Sequence, residues 1–438
     1  MNADPQRVDR RVIAPPEGDG SDAWSPINHR NGVFAVLESG PASVACGKGR
    51  ESMGFWGSFR TVVSRTTDLA LVASLGYMTV AVAATVRFGR RRADAGATTP
   101  PVTLLVPLHG TEFSLEANLR AFATQDYPAF QIVFGVARAD DAALPFARRI
   151  AAEMPGVPID IAIGFDPAAR NPKLANVLSM MRYVKHDVLV LADSDTLVDP
   201  AYLRTVTAPL GDPEVGAVTA LFSGHPDTTF ASRLGAMFMN EQFIPAALVE
   251  RFLGPLRHCF GPTNAFRAET LRAIGGFEAL APHLADDYML GNFIAAHGRR
   301  VVISSYVVKT TISERSVPAL FTHELRWHRT IRGVKPLGYA GVFVTYPIAL
   351  ALLRLLTGRK PRRAVLQLAA ALASRIALQR VAARALDVVP AAMWMTVPRD
   401  LLGFALWVWG LGGSSVRWRG ADLAIGEGDM LVEEPVAP

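Results

Sequence analysis

Leu69–Val86 contains no charged residue over 18 positions and runs directly into Arg87, Arg90, Arg91 and Arg92. As a helix this stretch would extend about 27 Å at about 1.5 Å per residue, close to the hydrocarbon thickness of a bilayer. Cationic flanks stay on the cytoplasmic side, so the pattern predicts a spanning helix whose C-terminal end lies in the cytoplasm. A buried core helix is the competing reading, and the arginine cluster argues against it. The composition agrees with a membrane protein: 50% of the 438 residues are hydrophobic and 19% are charged. Net charge is only +6, and the basic runs flank apolar segments instead of forming one patch, so nucleic acid is not an expected partner. Two cysteines, Cys46 and Cys259, give neither a disulfide framework nor a thiolate zinc site, and they point to a reducing compartment.

Residues 1–61 are rich in Gly, Pro, Ser and charge and read as a mobile tail. No apolar core promptly follows the basic start, so no secretory signal is expected, and Met53 is a plausible alternative translation start. Residues 62–92 form the spanning helix with its basic flank. Residues 93–336 read as an α/β domain. In it, Val102–Val106 and Ile132–Val136 are short β-rich runs, with helical pattern at Leu115–Thr124 between them. Val188–Ala192 is continuously apolar, as a central parallel strand covered on both faces should be. Strands alternating with helices imply a layered, mostly parallel sheet.

Residues 337–420 turn apolar again and predict C-terminal membrane helices. Pro336–Leu353 is uncharged but carries two prolines, Ala364–Ala385 is interrupted by Arg375, Arg380 and Arg384, and Leu401–Val416 is apolar. A full crossing by Pro336–Leu353 would place Arg354, Arg359, Lys360, Arg362 and Arg363 outside. A re-entrant segment would keep them in the cytoplasm. Residues 421–438 read as a tail, and no internal repeat is visible.

The chemistry is expected past the carboxyl ends of the strands, where open α/β sheets bind ligands. Asp193 and Asp195 follow Val188–Ala192, and positions two apart in an extended segment point to one side. Two hard oxygen donors there suit Mg²⁺ or Mn²⁺ holding a diphosphate; an ordinary turn is the competing reading. Asn171-Pro-Lys173-Leu-Ala-Asn176 predicts a capped helix start, with Lys173 and Asn176 on one face. A lysine in the first turn opposes the helix dipole and suits an anionic ligand. Asp140-Asp141 follows the strand Ile132–Val136 and could meet a ribose or base edge; a solvated acidic loop is the alternative.

Asp286-Asp287-Tyr288 precedes an expected helix over Tyr288–Ala296, where one acid can cap and the other can face the cleft as a base. In His323-Glu-Leu-Arg326-Trp327, arginine suits a diphosphate and tryptophan gives a flat wall at a membrane interface. His323 and His328 are not spaced as a metal pair. Gly275-Gly276-Phe277 and Gly261-Pro-Thr-Asn-Ala-Phe-Arg267 look chiefly structural.

Taken in order, these motifs resemble the ceramide glucosyltransferase group of inverting GT-A glycosyltransferases, over about Leu69 to Gly420. Pro107-Leu-His-Gly110, Gln125-Asp-Tyr-Pro128, Ala285-Asp-Asp-Tyr-Met-Leu-Gly291 and His323-Glu-Leu-Arg-Trp327 look closest to its bacterial hopanoid branch, which passes N-acetylglucosamine from UDP to bacteriohopanetetrol. The resemblance implies a Rossmann-like GT-A domain at the inner (cytoplasmic) membrane, with a UDP-sugar and a membrane lipid as substrates. It implies that Asp141 or Asp140 contacts the nucleotide, that Asp193 and Asp195 bind Mg²⁺ or Mn²⁺ with the diphosphate, and that Asp287 is the base. Lys173, Asn176, Asp286 and His323 join the nucleotide-sugar contacts, and Arg326 and Trp327 are catalytic with Asp287, Arg326 stabilising the departing UDP. The group's signature opens with Gln or Arg, whereas this chain has His323. Alternatives are glucose transfer to ceramide, a processive polysaccharide synthase, and a non-catalytic membrane receptor for nucleotide-sugar or lipid.

Overall fold

The computed structural model describes residues 48–91, 98–112, 114–358, 360–413, 415–418, 421–425 and 430–432. The chain divides into two units, Met1–Gly54 and Phe55–Pro438; of the first, the described residues hold only the opening turns of helix α1 (Lys48–Gly89). Most of the expected tail, residues 1–47, and Arg92 of the basic flank lie outside the described residues. The helix nevertheless starts upstream of residue 62. Between Lys48 and Thr61 only isolated glycines oppose helix, and none is a proline.

In chain order there follow β1 (Val102–Leu108), α2 (Leu115–Ala123), β2 (Phe130–Val136), α3 (Leu144–Glu153), β3 (Ile159–Ile163), α4 (Pro172–Met180), β4 (Val188–Ala192), β5 (Thr196–Leu197) and α5 (Tyr202–Thr207). Next come β6 (Val215–Pro226), α6 (Phe230–Phe238), a π-helical turn at Met239–Phe243, α7 (Ile244–Leu253), β7 (Thr263–Arg267), α8 (Ala268–Ala273), α9 (Asp286–Ala296), β8 (Arg300–Ile312) and α10 (Val317–Val334). The C-terminal region holds α11 (Pro336–Ala340), α12 (Pro347–Thr357), α13 (Pro361–Leu386), α14 (Thr396–Gly410) and three short strands, β9 (Ser415–Trp418), β10 (Ala421–Ile425) and β11 (Leu431–Val432).

Eight strands form one sheet in the order β3-β2-β1-β4-β7-β6-β8-β5. β1 runs parallel to both β2 and β4, while β7 is inserted antiparallel between β4 and β6. β4 explains its own sequence. Val188, Val190 and Ala192 pack with α2 and α3, whereas Leu189 and Leu191 pack on the opposite face with α4. Both faces are covered, so the run is apolar throughout instead of alternating. The parallel registers bring the carboxyl ends of β1, β2 and β4 side by side, and the loops that leave them form the cleft.

α1 buries one stripe, Thr67, Leu71, Ser74, Met78, Ala81 and Ala84, at helical spacing, while Leu69 and Val72 face outward. Met78, Ala81 and Ala84 pack into the core cluster of the α/β layer. Among the described residues two helices are long and apolar enough to cross a membrane, Thr61–Gly89 and Pro361–Leu386. The pair Pro336–Thr345 and Pro347–Thr357 passes the same test together but is bent by 70°. That bend falls at Tyr346, just before Pro347, the second of the two prolines. Of the charges in and beside the C-terminal apolar runs, Arg354 and Arg375 turn inward, Arg354 reaching Asp68 at 2.8 Å and Arg375 donating to the Glu241 carbonyl at 3.1 Å, while Arg380 and Arg384 are exposed. The expected tail 421–438 is corrected in part. It supplies β10 and β11, and the Leu431 amide donates to the Pro282 carbonyl at 2.8 Å.

Candidate active site

Asn171 organises one wall of the cleft. Its side-chain oxygen accepts from the Lys173 and Leu174 amides and so caps α4, with Pro172 at the first helical position. Its side-chain nitrogen donates to the His283 carbonyl at 2.8 Å, which fastens the loop leading into α9. α4 therefore presents Lys173 toward that loop. The Lys173 ammonium lies 2.7 Å from Asp193 Oδ1 and 3.7 Å from Asp286 Oδ2, and its side chain is 9% exposed. Burial pulls this ammonium down, but Asp193, Asp286 and Asp287 outweigh it and hold the group above its ordinary value. The anions that answer the unfavourable first-turn lysine are the protein's own carboxylates.

α9 begins at Asp286, with Ala285 as its N-cap, so both acids stand in the first turn and not ahead of the helix. Neither caps by its side chain. Asp286 is committed to Lys173, while Asp287 faces Gly261: a Cβ at Gly261 would stand 3.4 Å from Asp287 Oδ2 and 3.6 Å from Asp193 Oδ2. Asp193 and Asp287, far apart in sequence, thus line one spot. The Gly261 segment gains this role because β7 pairs antiparallel with β4, and the Asp193 amide donates to the Pro262 carbonyl at 3.0 Å. Burial, reinforced by Asp286, raises the Asp287 carboxyl to about 7.

The reading of Asp193 and Asp195 as two positions of one extended segment is corrected. The chain turns at Ser194–Asp195, because β5 pairs with β8 at the far edge of the sheet. Thr196 Oγ1 closes the turn on the Asp193 carbonyl at 2.8 Å. Asp195 still shares the field of its neighbour: burial, then Asp193 and Glu112, raise it to about 7, and its buried Oδ1 has no hydrogen-bond partner. Glu112 was not singled out from the sequence. It lies in the loop after β1 and accepts from Ser194 Oγ at 2.6 Å. Placing β1 beside β4 was the signal that could have found it. A cavity of about 710 Å³ beside α2 meets this region only at Glu112 and otherwise lies on the outer side of α2.

The two acids after β2 separate. Asp141 Oδ1 accepts from the amides of Gly110 and Ala143 at 2.9 and 2.8 Å, tying the first two loops together. Gly110 has φ of +64°, a conformation that a side chain would strain. Asp140 turns to solvent and pairs with Arg138. Asn176, expected on the ligand face with Lys173, is corrected: it is 2% exposed and donates to the carbonyls of Leu108 and Gly135, lacing α4 to β1 and β2.

α10 carries the remaining residues. His323 Nδ1 meets Glu314 Oε1 at 2.5 Å, and its ring lies 4.3 Å from that of Trp327. Trp327 stacks on Phe238, with centroids 5.5 Å apart and planes 13° apart, and is half-buried in protein. The Arg326 guanidinium lies 5.9 Å from the Trp327 ring. Phe238, Phe243 and Phe260 form a continuous ring path from Trp327 to Gly261.

Gly291 sets how closely α9 approaches this wall. It stands one turn after Asp287, and a Cβ there would meet the backbone of His258 and Cys259 at 2.4–2.5 Å. Backbone cannot yield as a side-chain tip does. Gly291→Ala is therefore expected to cost about 3 kcal/mol of stability, the upper end for overpacking, and to displace Asp287. A thermal melt beside wild type checks the first effect; an unchanged midpoint would show that α9 has room to shift.

The family model for glycosyl transferase family 21 matches residues 66–431. Ceramide glucosyltransferase 1 of Caenorhabditis elegans is 24% identical over 231 residues, covering 52% of this chain and 49% of that protein. Ceramide glucosyltransferase 3 of the same organism is 22% identical over 229 residues, covering 52% and 50%. The chain thus spans about half the length of these curated relatives. Among solved structures, a mannosyltransferase from Pyrobaculum calidifontis in complex with GDP-Man and Mn²⁺ aligns with 80% of this chain and 99% of its own, at 20% identity and a TM-score of 0.49. The family match runs from α1 through the cleft to β11, and on that extent the chain belongs to glycosyl transferase family 21.

Proposed function

We propose that this protein is a membrane-bound inverting glycosyltransferase that moves a sugar from a UDP-sugar to a lipid hydroxyl at the cytoplasmic face of the inner membrane. The observation that carries the reading is the meeting of Asp193 and Asp287 at Gly261, with Lys173 bridging Asp193 to Asp286 beside them, where a donor diphosphate and an acceptor hydroxyl can lie side by side. Asp287 takes the proton of the lipid hydroxyl, since its raised affinity keeps it near the balance point at neutral pH. Arg326 faces the departing diphosphate, and Trp327 and His323 shape the same wall. Asp141 holds the nucleotide-side loops, with Asp140 at their rim. One displacement inverts the anomeric centre. α1 and the C-terminal helices keep the cleft at the bilayer, where a water-insoluble acceptor resides.

The donor set suits a divalent ion. Asp193 and Asp195 are hard oxygen donors, and the buried, unpartnered Asp195 Oδ1 gains a partner from a cation. Among the described residues no cluster of three or more His, Cys, Asp or Glu is arranged as a metal cage, so ligand oxygens and water complete the shell of Mg²⁺ or Mn²⁺. Such an ion offsets charge on the diphosphate as it leaves. At a hundredfold excess over its Kd, Mn²⁺ is expected to stabilise the purified protein by about 2.7 kcal/mol. A thermal melt with Mn²⁺ and after EDTA checks it. The Asp193→Asn, Asp195→Asn double variant should not respond, and an equal response there would move the ion elsewhere.

Within this class, the motif resemblance favours N-acetylglucosamine and bacteriohopanetetrol. A second reading, glucose to ceramide, is favoured by the two curated relatives. Membranes containing the protein, incubated with UDP-glucose, UDP-galactose or UDP-N-acetylglucosamine and either lipid, separate the two through the mass of the glycolipid product. No product from any pair, with the protein folded, would favour a receptor.

A further inference from the structure

α10 is seated in an unusual way for a helix that carries functional groups. Its buried residues are Leu320, Glu324 and His328, spaced four apart on one stripe, and only the first is apolar. His328 Nδ1 meets the Tyr339 hydroxyl at 3.0 Å. Glu324 accepts from Arg399 of α14 through both oxygens, at 2.8 Å each, and both side chains are 0% exposed. Arg399 also donates to the Leu234 carbonyl at 3.3 Å, and its guanidinium lies 5.3 Å from the Phe238 ring, the same ring on which Trp327 stacks. One arginine therefore holds both the inner face of α10 and the platform beneath its tryptophan.

We infer that Glu324 and Arg399 are positioning residues that fix the rotation of α10, so that Arg326 and Trp327 address the cleft in one orientation. Apolar contact is non-directional, and a stripe of leucines would let the helix roll or slide. A two-point carboxylate–guanidinium bond without water has a single geometry. Stability alone does not require such a pair: apolar residues in both positions are often neutral or better, whereas removing one partner strands a buried charge. The ion pair thus supplies orientation, and it makes the C-terminal region part of the site's architecture. The inference rests on the glycosyltransferase reading for its kinetic consequence but not for its structural one.

The test is the double variant Glu324→Leu, Arg399→Met, purified with the full chain. Its melting temperature should stay within a few degrees of wild type, the KM for UDP-sugar within threefold, and kcat should fall at least tenfold. Hydrogen exchange of amides 323–329 should quicken while the rest of the chain is unchanged. Folded protein with wild-type kcat and wild-type exchange in α10 would overturn the inference. If the double variant fails to fold, Arg399→Lys takes its place, because it keeps the charge and loses the fork; it should show the same split between kcat and KM, and a wild-type kcat there would overturn the inference. A wild type that turns over no UDP-sugar and lipid pair counts against the function proposed above, and exchange in α10 then decides the clamp by itself.

Discussion

Asp287→Asn should lower kcat about a thousandfold while leaving UDP-sugar affinity within about threefold. General-base catalysis contributes roughly 10²–10⁴ in rate, and asparagine matches the shape of aspartate but cannot accept the proton. Binding should survive because Lys173 is held by Asp193 and Asp286, so the lost charge leaves that pairing in place. The pH profile gives an independent check. Burial and Asp286 raise the Asp287 carboxyl to about 7, and the base must be ionised to act. The sign follows: wild-type kcat/KM climbs with pH and levels off above about 7, whereas an ordinary aspartate would place that limb near 4. Steady-state rates of wild type and Asp287→Asn from pH 5 to 9 decide both. A variant within tenfold of wild type, or a limb near 4, would assign the proton to another group.

Local signals were legible in the sequence, and long-range ones were not. The apolar run Val188–Ala192 is β4 residue for residue, and Asn171-Pro172 opens α4 as cap and first helical position, because burial on two faces and capping leave marks within a few residues. The same locality hid the rest. That Asn171 also holds the His283 carbonyl depends on a loop more than a hundred positions away. Glu112 meets Ser194 only because β1 lies beside β4, and Gly261 meets Asp193 only because β7 enters antiparallel. Asn176 looked like a ligand contact because helical spacing reports which residues share a face but not what that face meets. The turn at Ser194–Asp195 was missed because the destination of β5, the far edge of the sheet, is a property of topology. Motif order therefore located the cleft, while the division of labour among its acids emerged from packing.

Lys173→Met is expected to cost stability in a way that depends on pH. The ammonium is nearly enclosed and stands between Asp193 and Asp286, with Asp287 in its field. Breaking a buried pair costs about 3–5 kcal/mol, and the partial exposure of Asp193 at 31% favours the lower end, about 3 kcal/mol. Methionine conserves most of the volume, so the loss reports charge and not a cavity. It should also depend on pH. Without the cation, the folded-state proton affinities of Asp287 and Asp195, which burial already raises and Lys173 opposes, rise further above their unfolded values. A carboxyl raised in this way contributes stability that is full below its unfolded value and is lost as pH rises through its folded one. The deficit relative to wild type should therefore be smaller near pH 4, where Asp287 and Asp195 are protonated, and complete by about pH 8. Denaturation midpoints at both ends of that window measure it. Mn²⁺ should recover part of the deficit at pH 8 by restoring positive charge beside Asp193, and sodium at equal ionic strength should not, because screening reaches enclosed groups weakly. A deficit that is the same at every pH would mean that Lys173 acts through the packing of its alkyl chain, and the carboxylates would then need no central cation to coexist.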